Sequence, residues 1–117
     1  MTDKPTAEQI DDIGDVQLSE QMNAFFERAD AFIGLANSQL SPQSHAGQVG
    51  SSLMYAAARF SASVASIGFV KAEDFAKEKE EILRFYTEQF QKMLSDNLDE
   101  YAQHFDKYTK LKAGDQA

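Results

Sequence analysis

The chain has 117 residues, with 11 Lys+Arg against 19 Asp+Glu, a net charge of −8 at pH 7, and neither Cys nor Trp. One domain suits this length, and the missing Cys excludes disulfides, thiolate metal sites and cysteine nucleophiles. The acidic balance argues against nucleic acid and against anionic membrane surfaces, since both need an excess of Lys/Arg. The opening Met1-Thr2-Asp3-Lys4-Pro5 has no basic-then-apolar leader pattern, so the compartment expected is the cytoplasm.

Residues 1–18 carry net −4 and little apolar patterning, and are expected to form a flexible acidic N-terminal segment. The alternative there is a short helix starting at the capping-box spacing of Thr6-Ala7-Glu8-Gln9, ending at Gly14 and docking through Ile10 and Ile13.

The folded domain is expected over 19–112, with 113–117 a C-terminal tail. The first predicted helix runs from Ser19, a capping residue, to Leu40. Met22, Phe25, Ala29, Phe32 and Ala36 recur in steps of three and four, and Phe26, Ile33 and Leu40 widen the stripe. Ser41-Pro42 then reads as a second helix start. Gly47 and Gly50 weaken its first turns, so it becomes firm near Val49. Val49, Leu53, Ala56, Phe60, Val64 and Ile67 form its apolar row, and Gly68 with Phe69 suits its end. Leu53 to Val70 is long enough to span a bilayer, but Arg59 and three serines make it a buried helix instead.

A third helix begins near Ala72, with Glu73 and Asp74 at its positive end. Glu73–Lys77, Glu80–Arg84, Glu88–Lys92 and Asp106–Lys110 are spaced as favourable pairs, and Lys107, Lys110 and Lys112 suit its C-terminus. Leu83, Tyr86, Phe90, Leu94, Asn97, Tyr101, Phe105 and Tyr108 make its apolar seam, interrupted by one asparagine. No segment alternates with period two. The fold expected is all-α, a three-helix antiparallel bundle.

Continuous to Lys112, the third helix would reach about 60 Å at 1.5 Å per residue, far beyond its neighbours. Either it breaks at Ser95-Asp96-Asn97 and folds back, or its end packs on a second subunit. The second helix favours the dimer, because Met54, Tyr55, Ala58, Ala62 and Ala65 lie off its apolar row and are uncharged. With Phe105 and Tyr108 they form the expected interface.

Arg59 is the one charge between 41 and 70. If buried it needs a carboxylate or carbonyls, with Asp30 the first choice of partner and Asp99 the second. Asp30, Asn37, Arg59, Asn97, Asp99 and Tyr101 are therefore the candidate polar set, either a register-fixing network or an anion or ligand site. Neither His45 nor His104 follows a Glu by three, so no metal site or cofactor is expected. No Gly-x-Ser-x-Gly or phosphate loop is present, which leans away from an enzyme.

Phe26-Glu27-Arg28-Ala29-Asp30-Ala31-Phe32-Ile33 with Leu35-Ala36-Asn37, Tyr55-Ala56-Ala57-Ala58-Arg59-Phe60, and Met93-Leu94 through Asn97-Leu98-Asp99-Glu100-Tyr101 resemble a bacterial family of short helical proteins catalogued only as a domain of unknown function. The resemblance covers about 22–106 and implies a small helical protein with no activity or cofactor to carry over. Its marked polar positions fall here on Asp30, Asn37, Arg59, Asn97 and Asp99. The function expected is a protein-interaction module, paired with itself and open to another protein. The alternative is a small-ligand or anion-binding bundle, or an enzyme subunit, built on Arg59 and the nearby Asn and Tyr residues.

Overall fold

The computed structural model describes residues 7–108, and side chains from 15 onward. Every regular element described is a helix: α1 Ala7–Ser38, α2 Ala46–Ser66, α3 Ala72–Lys77 and α4 Lys79–Gln103, with a further helical stretch at 105–108. The chain divides into two compact units, one reaching to Ala57 and one starting at Ala58.

In the first unit, α1 begins twelve residues before the expected Ser19 start and runs through Gly14 without interruption. Lys110, Lys112, the tail 113–117 and the side chains of Ile10 and Ile13 lie outside what is described. Along α1 the apolar stripe stays open: Met22, Phe25, Phe26, Phe32 and Ile33 are at least half exposed, and only the small Ala24, Ala29 and Ala36 are half-buried.

The second helix starts at Ala46, five residues after the expected restart, because Ser41 is used differently. Its Oγ accepts the backbone N–H groups of Gln43 and Ser44 at 3.2 and 3.1 Å, and Ser41 and Ser44 exchange backbone hydrogen bonds. This closes a turn around Pro42 and leaves the cap to His45. The His45 N–H donates to Gln48 Oε1 at 3.0 Å, and the Gln48 N–H reaches back to His45 Nδ1 at 3.4 Å. That is capping-box geometry with imidazole in the place of a hydroxyl. Gly47 makes room for it, since a Cβ there would stand 3.2 Å from His45 Cε1. Val49, in the first turns of α2, is 8 % exposed and is the one buried apolar residue among the described residues.

In the second unit, α2 ends at Ser66 and Gly68 takes φ +96, a left-handed conformation that costs other residues. Phe69 then meets Phe75 with ring centroids 5.3 Å apart, which folds the chain into α3. The expected single third helix is interrupted at Glu78, with φ −90 and ψ 3, and not at Ser95–Asn97, where α4 is continuous. Phe75, Ile82 and Tyr86 are half-buried, so the interruption sits where Phe75 docks while Ile82 and Tyr86 face inward. Of the expected charge pairs, Arg84 meets Glu81 at 2.9 Å rather than Glu80, and Lys92 meets Asp96 at 2.9 Å rather than Glu88. All four side chains are well exposed, so these pairs contribute little to stability.

Gly68→Ala is expected to cost about 1 kcal/mol through its positive φ, whereas Gly34→Ala and Gly50→Ala, with nothing within 4 Å of the added carbon, should each gain roughly 0.5–1 kcal/mol. Thermal melts of the three variants give the opposite signs directly. His45→Ala should cost about 1 kcal/mol, and amide exchange should speed up first at Gly47 and Gln48 while α4 is unchanged.

Candidate functional site

α4 and the residues just after it carry a set of large side chains that stay exposed. Leu83, Phe90, Leu94, Leu98, Tyr101 and Phe105 are 45–61 % exposed. Counted at about 100° per residue, Leu83, Phe90, Leu94, Leu98 and Tyr101 fall within one stripe along the helix, while Tyr86 and Ile82 lie to one side of it and Phe85 beyond them. That side carries a hollow of about 270 Å³ lined by Ala65, Glu81, Ile82, Phe85 and Tyr86. Ile82 and Tyr86 are the half-buried residues of α4, and the stripe stays exposed.

The C-terminal end of the stripe has its own order. Tyr101 and Tyr108 stack at 4.0 Å with planes 16° apart, and the Tyr108 hydroxyl donates to Glu100 Oε1 at 3.2 Å. Loss of solvent around the phenol raises the Tyr108 pKa above the ordinary tyrosine value, and the Glu100 charge and hydrogen bond raise it further. His104, with φ −116 and ψ 31, ends α4 and donates its N–H to the Glu100 carbonyl.

The six polar candidates fall in both units: Asp30 and Asn37 in the first, Arg59, Asn97, Asp99 and Tyr101 in the second. All six are exposed. Asn97 donates Nδ2–H to the Met93 carbonyl one turn back at 2.7 Å, which satisfies the asparagine within its own helix. The hollow beside α4 includes none of the six. Of the interface candidates, Met54 and Tyr55 lie in the first unit, and Ala58, Ala62, Ala65, Phe105 and Tyr108 in the second. Met54, Tyr55, Ala58, Ala62 and Phe105 are exposed, whereas Ala65 and Tyr108 are half-buried. The capping role of His45 went unread in the sequence, because Ser41-Pro42 offered a stronger start signal. The pairing of His45 with Gln48 three residues on was the available clue.

Among the described residues no cluster of His, Asp or Glu is arranged to hold a metal ion, and no helix is long and apolar enough to cross a membrane. The profile of the family described as Protein of unknown function (DUF3144) matches residues 25–102. The chain belongs to this family. The matched span holds the second half of α1, all of α2 and α3, and α4 up to its last residue, so the open stripe lies almost wholly within the family's domain. No curated protein and no solved structure matches the chain.

The Tyr108 phenol is expected to titrate above ordinary tyrosine, followed by the ultraviolet absorbance of the phenolate. Because the folded-state value is the raised one, the Tyr101–Tyr108 contact is intact below the ordinary phenol range and is lost as pH rises through the raised value. Glu100→Gln should move the titration back toward the ordinary value, and an unmoved curve would remove Glu100 as a cause.

Proposed function

We propose that this protein is a non-catalytic interaction module that works as a homodimer, with the antiparallel three-helix packing expected from the sequence completed between copies. The observation that carries this reading is the burial pattern. Val49 alone is buried among the described apolar residues, while large side chains on α1, α2 and α4 stay open in periodic rows. Native stability is a margin of about 5–15 kcal/mol won from apolar burial against chain entropy. Rows of this kind do not reach that margin without a second surface to cover them. A second copy brings rows of the same spacing and needs no other component.

Sedimentation equilibrium is expected to return twice the 13.0 kDa chain mass, with melting temperature rising with protein concentration. A monomer mass together with a concentration-independent, cooperative melt would sink the reading.

A further inference from the structure

We propose that the dimer contact is made by α1 against α1 of a second copy, antiparallel, with Leu18 of each chain opposite Ala36 of the other. This deepens the dimer reading and rests on it.

α1 lies wholly within the first unit. Leu18, Met22, Phe25, Ala29, Phe32 and Ala36 recur in alternating steps of four and three, about two and a half heptads of one row. At about 100° per residue the row holds no charge, and Glu20, Glu27 and Asp30 fall away from it on the other side of the helix. Carried upstream, the same steps fall on Asp15 and Asp11, so the apolar row begins at Leu18. Phe26 and Ile33 flank it on one edge, Arg28 and Leu35 on the other.

The large members of the row stay wet. Leu18, Met22, Phe25 and Phe32 are 50–63 % exposed, and so are Phe26, Ile33 and Leu35 at its edges. Phe25 and Phe26 touch each other edge-on, with ring centroids 5.4 Å apart, and each still has half of its surface exposed. At roughly 150–200 Å² each, with half of that open, seven such side chains offer on the order of 600 Å² per chain. Two copies cover on the order of 1,200 Å², the lower end of a stable specific interface.

Orientation follows from the order of large and small residues. With Leu18 opposite Ala36, an antiparallel pair also sets Met22 opposite Phe32 and Phe25 opposite Ala29, and each layer occurs twice. Both alanine positions then receive a large side chain, as close packing requires. A parallel pair in register would set alanine on alanine at 29 and at 36, with phenylalanine on phenylalanine between them. That leaves two voids beside an overfilled layer. Sliding the antiparallel pair by one heptad either sets Asp15 against Phe32 or carries Leu18 past the end of the other copy's α1. One register therefore covers the whole row.

Charge favours the same arrangement. Residues 7–18 carry net −4. Antiparallel pairing sends these acidic segments to opposite ends of the dimer, with the two Asp11 positions about 48 Å apart along the helices, several Debye lengths. Parallel pairing would lay them side by side. The two Arg28 residues approach each other across one edge, where long side chains reach water and such a pair costs little.

With no Cys in the chain, each introduced thiol is the only one. Leu18→Cys and Ala36→Cys chains are mixed and oxidised at a concentration where the wild type is dimeric. The expected product is the mixed disulfide, with little self-linkage of either variant. Phe25→Glu, which sets a carboxylate into two layers of the contact, should weaken the dimer by at least about a hundredfold in sedimentation, with helix content by circular dichroism unchanged. Phe25→Leu should weaken it far less. Self-linked Leu18→Cys without the mixed product means a parallel contact and overturns the proposal. A wild-type dimer that gives no disulfide and is indifferent to Phe25→Glu means pairing through another face. That overturns the α1 contact while the dimer reading stands. A wild-type monomer defeats both.

Discussion

An α-helix satisfies its own backbone hydrogen bonds, but it cannot cover its own apolar side chains. That constraint governs this protein. Each long helix carries apolar residues in periodic rows, and among the described apolar residues only Val49 is buried. The local structure is well made all the same. Turns close, α2 is capped, and exposed charges pair within α4. Backbone order and side-chain burial are separable here.

The junctions show how short-range chemistry positions long elements. Ser41 uses its hydroxyl on the turn around Pro42, so the cap of α2 passes to His45 and Gln48, and Gly47 leaves space for the ring. At the other end Gly68 supplies the positive φ, and Phe69 on Phe75 holds the reversal that follows. α4 then docks through Ile82 and Tyr86, which sets its rotation about its own axis and leaves Leu83, Phe90 and Leu94 exposed together. The exposed stripe is thus a consequence of how the second unit is packed.

Much of this was legible in the residues. The period of three and four identified every long helix, and Gly68 with Phe69 located the end of α2, because both signals act over a few neighbouring residues. The miss at Ser41-Pro42 has the same origin: two local motifs competed, and the stronger statistical one lost to a turn that consumed its serine. The break at Glu78 carries no Gly or Pro and no local sign. It reflects the docking of Phe75 against Phe69, a contact between elements. The candidate polar set was chosen from residues that look awkward on an apolar face. Exposure removes the awkwardness, since a wet Arg59 or Asp30 has solvent for a partner, and Asn97 has its own helix backbone.

By itself the sequence determined an all-α chain, the approximate helix spans, the absence of thiol chemistry and membership in a family of helical proteins without an assigned activity. Periodicity, capping and composition are properties of neighbouring residues and can be read along a line. Only the tertiary structure decided which residue caps α2, where the third helical region divides, and which side of α4 stays open. Those depend on which of several equally apolar faces meets another element, and residues such as Ile82 and Leu83, adjacent in the chain and similar in chemistry, end up on different sides of that contact.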